Sequence, residues 1–104
     1  MIRGTSYGAA RGIRGRSGAL RARVFHYVLL RGEEGATLEE MELSLAIAGN
    51  TVRPRRVELE ERGFIEDSGR RRPTCSGKSA IVWIIPALIA DKARAKLAMM
   101  GVPA

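Results

Sequence analysis

One cysteine, Cys75, and one histidine, His26, are the only thiol and imidazole in this 104-residue chain. A lone thiol closes no internal disulfide, and neither residue stands in a ligand spacing such as C-x-x-C, so no structural zinc site and no other metal is expected. The lack of disulfides fits a reducing, cytoplasmic setting. Long hydrophobic runs are missing as well. The longest, Ala80–Ala90, is broken by Pro86 and is shorter than the roughly 20 residues that cross a bilayer. Met1–Gly18 has no apolar segment of the kind a signal peptide needs. A glycine-rich phosphate loop is absent too, since S-G-K-S at Ser76–Ser79 lacks the leading glycine and the strand-to-helix context. His26 has no partner nucleophile, and Glu39, Glu40 and Glu42 are spaced for a helix terminus rather than for acid–base catalysis. The reading is a non-enzyme with no cofactor, no metal and no membrane partner.

Positive charge is abundant. The chain has 18 Lys+Arg against 11 Asp+Glu, a formal net charge of +7 and a pI near 10.7. That balance favours a polyanionic partner. The charge is also patchy. Residues 1–18 hold Arg3, Arg11, Arg14 and Arg16 without an acid, residues 68–79 hold Arg70, Arg71, Arg72 and Lys78 without an acid, and Glu33–Glu42 is acidic. With 45% hydrophobic residues, a chain of this length can close one core.

Glycine and arginine dominate residues 1–17, which read as a flexible basic arm. A first helix is expected from near Ser17 to about Arg31, with Leu20, Val24, Tyr27 and Val28 recurring at the helical period. Gly32 and Gly35 end it. T-L-E-E at Thr37–Glu40 is a capping box opening a second helix, whose stripe is Leu38, Met41 and Leu45. After a break at Ala48-Gly49-Asn50, Asn50 or Thr51 is expected to cap a third helix with Pro54 in its first turn, Val52 and Leu59 inward and Gly63 at its end. Phe64–Asp67 reads as a strand, Ser68–Ser79 as a basic turn and Ala80–Ile85 as a strand, with Trp83 in the core. Helix, helix, turn, helix, hairpin is the order of a winged helix.

The run from Thr37 to Trp83, with T-V-R-P-R, V-E-L, R-G-F-I-E-D-S and R-P-T-C-S-G-K-S-A-I-V-W, resembles the winged helix-turn-helix domains of bacterial regulators of the MarR-like type. It resembles small phage-encoded proteins of that kind most of all. The resemblance implies an α+β fold of three helices plus a two- or three-stranded wing over residues 18–86. The segment 87–104 forms an additional C-terminal helix outside the shared pattern. Arg56 is a second departure, since the period places it near the core.

Within that frame the second helix of the helix-turn-helix would present its N-terminal half to double-stranded DNA. The candidate contacts are Asn50, Thr51, Arg53, Arg55 and Val57, where arginine can hold guanine through two bonds and valine can meet a thymine methyl. In the wing, Arg70, Arg71, Arg72, Thr74 and Lys78 are placed to hold phosphates or enter the minor groove. Arg11, Arg14 and Arg16 of the arm form a third, weaker set for DNA or RNA. Ala80, Val82 and Ile84 are apolar like their alternate neighbours Ile81, Trp83 and Ile85, so something must cover the second face of this strand. In the tail, Leu88, Ile89, Ala93, Leu97 and Met100 make a stripe. A homodimer interface of Ile84, Leu88, Leu97 and Met100 is expected. The whole reads as a dimeric transcriptional regulator of phage or mobile-element type. The alternatives are a DNA-packaging or replication module that recognises a start site, and a winged module that docks on a host or phage protein.

Overall fold

The computed structural model describes residues 2–101, with side chains from residue 17 onward. Helix α1 spans Ile2–Arg31, a short 3-10 turn follows at Gly32–Glu34, and α2 and α3 occupy Leu38–Leu45 and Gly49–Glu61. Strands β1 (Glu66–Pro73) and β2 (Ser79–Ile84) form an antiparallel hairpin, and α4 runs from Ala87 to Met99. Helix α1 therefore begins well before Ser17. Its backbone carries through the glycines of the stretch expected to be an arm, although each costs about 1 kcal/mol relative to alanine. The arm residues Arg11, Arg14 and Arg16 lie outside the described side chains.

The core is where the apolar periods meet. Val24 and Val28 of α1, Met41 of α2, and Val52 and Leu59 of α3 are buried together with Ile65, Trp83 and Ile85. Two local devices set the ends of the helices. At Thr37 the capping box is complete: its hydroxyl accepts from the Glu40 amide and Glu40 Oε1 accepts from the Thr37 amide, both at 3.2 Å. At the end of α3 the Phe64 amide donates to Leu59 at 2.9 Å and the Gly63 amide to Glu60 at 3.0 Å. With Gly63 at φ +79, this is the Schellman pattern that glycine favours.

The turn between α2 and α3 lies earlier than the sequence suggests. Ala46 adopts a left-handed conformation at φ 54, and Ala48, in extended conformation, is the residue from which α3 starts. Asn50 and Thr51 therefore sit inside the first turn and cap nothing. Pro54 falls beyond that turn, so the helix forgoes a backbone bond to the Asn50 carbonyl.

The hairpin is also longer than expected. β1 continues through the arginines to Pro73, and only Thr74–Lys78 is turn. Asp67 pairs with Trp83, but the next registered pair is Arg71 with Ile81, so residues 68–70 bulge. Asp67 Oδ1 holds the bulge by accepting from the Gly69 amide at 2.8 Å. On the far side of β2, Ala36 makes an isolated bridge with Trp83, its amide donating to the Trp83 carbonyl at 2.9 Å. The loop comes this close because residue 35 is glycine. A Cβ there would lie 2.6 Å from the Trp83 carbonyl oxygen and 2.7 Å from Val82 Cγ1, at φ +66.

Candidate nucleic-acid interface

Helix α3 sorts its residues by the helical period. Val52 and Leu59 are buried, while Asn50, Arg53, Pro54 and Val57 are exposed on the other side, with Thr51 half-buried at the edge. Arg53 has no hydrogen-bond or ion-pair partner among the described residues. Its neighbours differ. Arg55, expected on the open face, turns toward α1: its Nε and Nη2 hold the two oxygens of Glu58 at 2.8 and 3.0 Å, and Nη1 donates to Ser17 at 3.1 Å. Arg21 of α1 reaches the same carboxylate at 2.8 Å. Three of the five Arg55 N–H groups are thus engaged within the fold, on Ser17 and on a carboxylate shared with Arg21.

Arg56 does occupy a near-core position. Its guanidinium lies 4.3 Å above the Trp83 ring, and Nη1 bonds Glu60 at 2.7 Å. This cation–π stack joins α3 to β2. The Arg56 Nε is buried without a partner, which is the cost of a guanidinium where the pattern expects an apolar side chain.

The wing arginines fold back onto the protein. Arg71 bonds Asp67 at 3.1 and 3.3 Å, closing over the bulge. Arg70 donates to the Glu33 carbonyl, and Arg72 donates to the Glu34 and Gly35 carbonyls and to Glu40. Those acceptors lie beyond β2, so the aliphatic stems of Arg70 and Arg72 cross the Ala80–Val82–Ile84 face. The Gly35 loop lies directly against Val82 and Ile84 on that face, and Val82 is 1% exposed. At the tip, Thr74 is occupied within the turn, accepting from the Lys78 amide at 3.3 Å and sharing a hydrogen bond with Ser76 at 2.9 Å. The Cys75 amide donates to Glu39 of α2 at 3.1 Å.

No family model and no curated protein matches the chain. Solved structures do. An apo-form mutant of Lactococcus lactis ZitR is similar with a TM-score of 0.55 at 13% identity, over 97% of this chain and 74% of that one. A PadR-like transcriptional regulator from Bacillus cereus gives a TM-score of 0.54 at 12% identity, over 81% of this chain and 85% of that one. The fold is a winged helix. At such identities the likeness establishes the fold and adds nothing about residues.

In this winged helix three carboxylates that hold arginines, Glu40, Glu58 and Asp67, are shifted in acidity. Burial pushes the Glu40 carboxyl up, but hydrogen bonds from Arg72 and Thr37 and the charges of Arg72 and Arg31 outweigh it, and it lies below the usual glutamate range. The Arg21 hydrogen bond leads in holding Glu58 low, and the Gly69 amide leads for Asp67. Glu40 in turn raises the affinity of Arg72 for its proton. Among the described residues, the cations of α3, its C-cap and the wing without a carboxylate partner are Arg53, Arg62, Arg70 and Lys78. Composition alone could not single them out, because the matching acids lie on α2, α3 and the bulge, one of them, Glu40, 32 positions from Arg72. Among the described residues no group of three or more His, Cys, Asp or Glu could hold a metal, and no helix is long and apolar enough to cross a membrane.

The tail helix divides its stripe. Ala90 is buried, and Ile89, Ala93 and Leu97 pack against the core of their own domain. Leu88, Met99 and Met100 face outward at 67%, 89% and 65% exposure. Ile84 is half-buried. Leu97, expected at a dimer interface, thus packs against the core of its own domain.

Proposed function

We propose that the protein binds double-stranded DNA sequence-specifically and acts as a homodimeric transcriptional regulator, of the phage or mobile-element type its sequence resembles. One observation carries the reading. The N-terminal half of α3 projects Asn50, Arg53 and Pro54 to solvent, with Val57 one turn further on the same face and the Arg53 charge unmatched among the described residues. That is the part of a helix-turn-helix that meets base edges, and asparagine, arginine and valine suit adenine, guanine and the thymine methyl respectively. The formal net charge of +7 supports it, as does the likeness in fold to a PadR-like transcriptional regulator. The second copy is proposed to dock on the outward face of α4, through Leu88, Met99 and Met100, with Ile84 beside them.

Selection of bound duplexes from a random pool, followed by footprinting, tests the reading. A regulator of this kind recovers a pseudo-palindrome with half-sites about one helical turn apart. Recovery of no preferred sequence, with only salt-sensitive binding to every duplex, would remove specificity from it. The dimer is tested separately by sedimentation of the full chain. Leu88→Glu with Met99→Glu is expected to give a folded monomer with most of its affinity for the full site lost, and a wild type that sediments as a monomer at tens of micromolar would exclude the dimer.

A further inference from the structure

The side chain of Arg72 is occupied almost completely. Nε donates to Glu40 Oε2 at 2.8 Å and Nη2 to Glu40 Oε1 at 2.9 Å. Nη2 also donates to the Gly35 carbonyl and Nη1 to the Glu34 carbonyl, each at 3.2 Å. Four of the five guanidinium N–H groups are thus engaged within the protein. The Glu40 carboxylate also accepts from the Thr37 amide at 3.2 Å and from Arg31 Nη2 at 3.4 Å. One carboxylate in the first turn of α2 therefore ties together the end of α1, the start of α2 and strand β1. The pair is mostly shielded, each side chain being 27% exposed, and a two-bond arginine–carboxylate pairing fixes orientation as well as distance.

We propose that Glu40 and Arg72 are a positioning pair for duplex binding, a joint that sets the wing against the helix-turn-helix, and that Arg72 itself does not touch DNA. The inference rests on the reading that α3 and the wing engage a duplex together. Its force comes from geometry. Arg70 and Lys78 sit on the hairpin that the joint holds, so their distance from Arg53 depends on where β1 is anchored. A phosphate that drew Arg72 away would have to replace a carboxylate and two carbonyls already in hydrogen-bonding range.

Charge gives a way to separate positioning from contact. Glu40→Gln keeps an acceptor for the capping box, removes the matched charge from Arg72 and makes the protein one unit more positive. If Glu40 acted only as a charge facing DNA, this change would tighten binding. The joint predicts the reverse. Affinity for the selected duplex, measured at several salt concentrations, should fall about tenfold in Glu40→Gln, the size typical of a broken coupled pair. The slope of log affinity against log salt should stay at the wild-type value. Arg72→Gln should match it, and the double variant should be no weaker than either single one.

A phosphate-contacting Arg72 gives a different pattern and overturns the proposal: Arg72→Gln then loses about 0.9 from the salt slope, Glu40→Gln binds as tightly as wild type or tighter, and the effects add. Hydrogen exchange on the free protein supplies a reading without DNA. Amides of residues 70–80 should exchange faster in both single variants, while those of Val24, Val28 and Leu59 keep wild-type protection. Unchanged exchange in the wing, or faster exchange throughout the domain, also overturns it. A wild type with no affinity for any duplex removes the proposed function and this inference with it. A wild type that binds, beside a Glu40→Gln variant that binds equally well, removes the inference alone.

Discussion

Helix α3 carries Arg53, Arg55 and Arg56, and strand β1 carries Arg70, Arg71 and Arg72. The helix distributes its three by rotation: one to solvent, one to Glu58 beside α1, and one onto Trp83. The strand distributes its three by alternation. Arg70 and Arg72 reach across β2 to the loop before α2, and Arg71 bends back to Asp67. In both regions, most of the positive charge visible in sequence is used to hold the fold. The field left for a polyanion comes from the residues whose backbone period points them away from every acid. Secondary structure, more than the number of arginines, decides which charges a partner can meet.

The largest loss is expected when the wing is unseated and α3 is left intact. Gly35→Ala would place a methyl group 2.6 Å from the Trp83 carbonyl oxygen and 2.9 Å from Ile84 Cγ2, in a left-handed backbone conformation. A loss of about 3 kcal/mol or more of stability is expected, read from the midpoint of urea denaturation. A variant as stable as wild type would mean that the loop does not rest on β2.

Next in size is the helix side. Arg53→Ala should cost about 1–3 kcal/mol of discrimination at one or two base pairs per half-site, measured by competition between matched and mismatched duplexes. Uniformly weaker binding with unchanged preference would make Arg53 a backbone contact. On the wing, Lys78→Ala should flatten the salt slope by about 0.9. Arg71→Ala, which removes a charge already matched by Asp67, should leave the slope near the wild-type value. Equal slopes for the two variants would erase the distinction between matched and unmatched wing cations.

The smallest expected effect is in acid. Glu40, Glu58 and Asp67 have their folded-state acidity strengthened, so the unfolded chain binds protons first as pH falls. Their contribution to stability is therefore complete above the ordinary carboxylate range of about 4. It declines as pH drops below that range toward their lowered folded values. Melting temperature should fall over this window, and less steeply in Glu40→Gln. An identical acid limb in that variant would show that Glu40 does not contribute to it.

Much of the fold could be read from local chemistry. The capping box at Thr37 and Glu40, the turn at Gly63 and the inward positions Val24, Val28, Met41, Val52 and Leu59 involve neighbours within a few residues, where sequence spacing is spatial distance. The start of α3 was less legible, because an alanine at residue 46 takes the left-handed conformation that glycine or asparagine usually signals. The extent of β1 was missed for a related reason. A run of arginines reads as a solvated turn until its acceptors, 32 to 38 positions earlier in the chain, are brought alongside. The same distance hides the fate of Arg55, whose partners include Ser17 on α1. Of the candidate site, Asn50, Arg53 and Val57 stand exposed where the helical period puts them, whereas the roles of the wing residues depend on tertiary contacts.

Trp83 is the one tryptophan in the chain, buried in β2 with the Arg56 guanidinium 4.3 Å above its ring. The protein therefore carries an intrinsic optical reporter at the seam between its third helix and its sheet. Ultraviolet emission excited at the indole comes from that seam and from no second tryptophan, so its intensity and colour follow the stacking of one cation on one ring. Any event that rocks the helix against the hairpin changes the light without an added label, and events confined to the outer face of the last helix leave it unaltered.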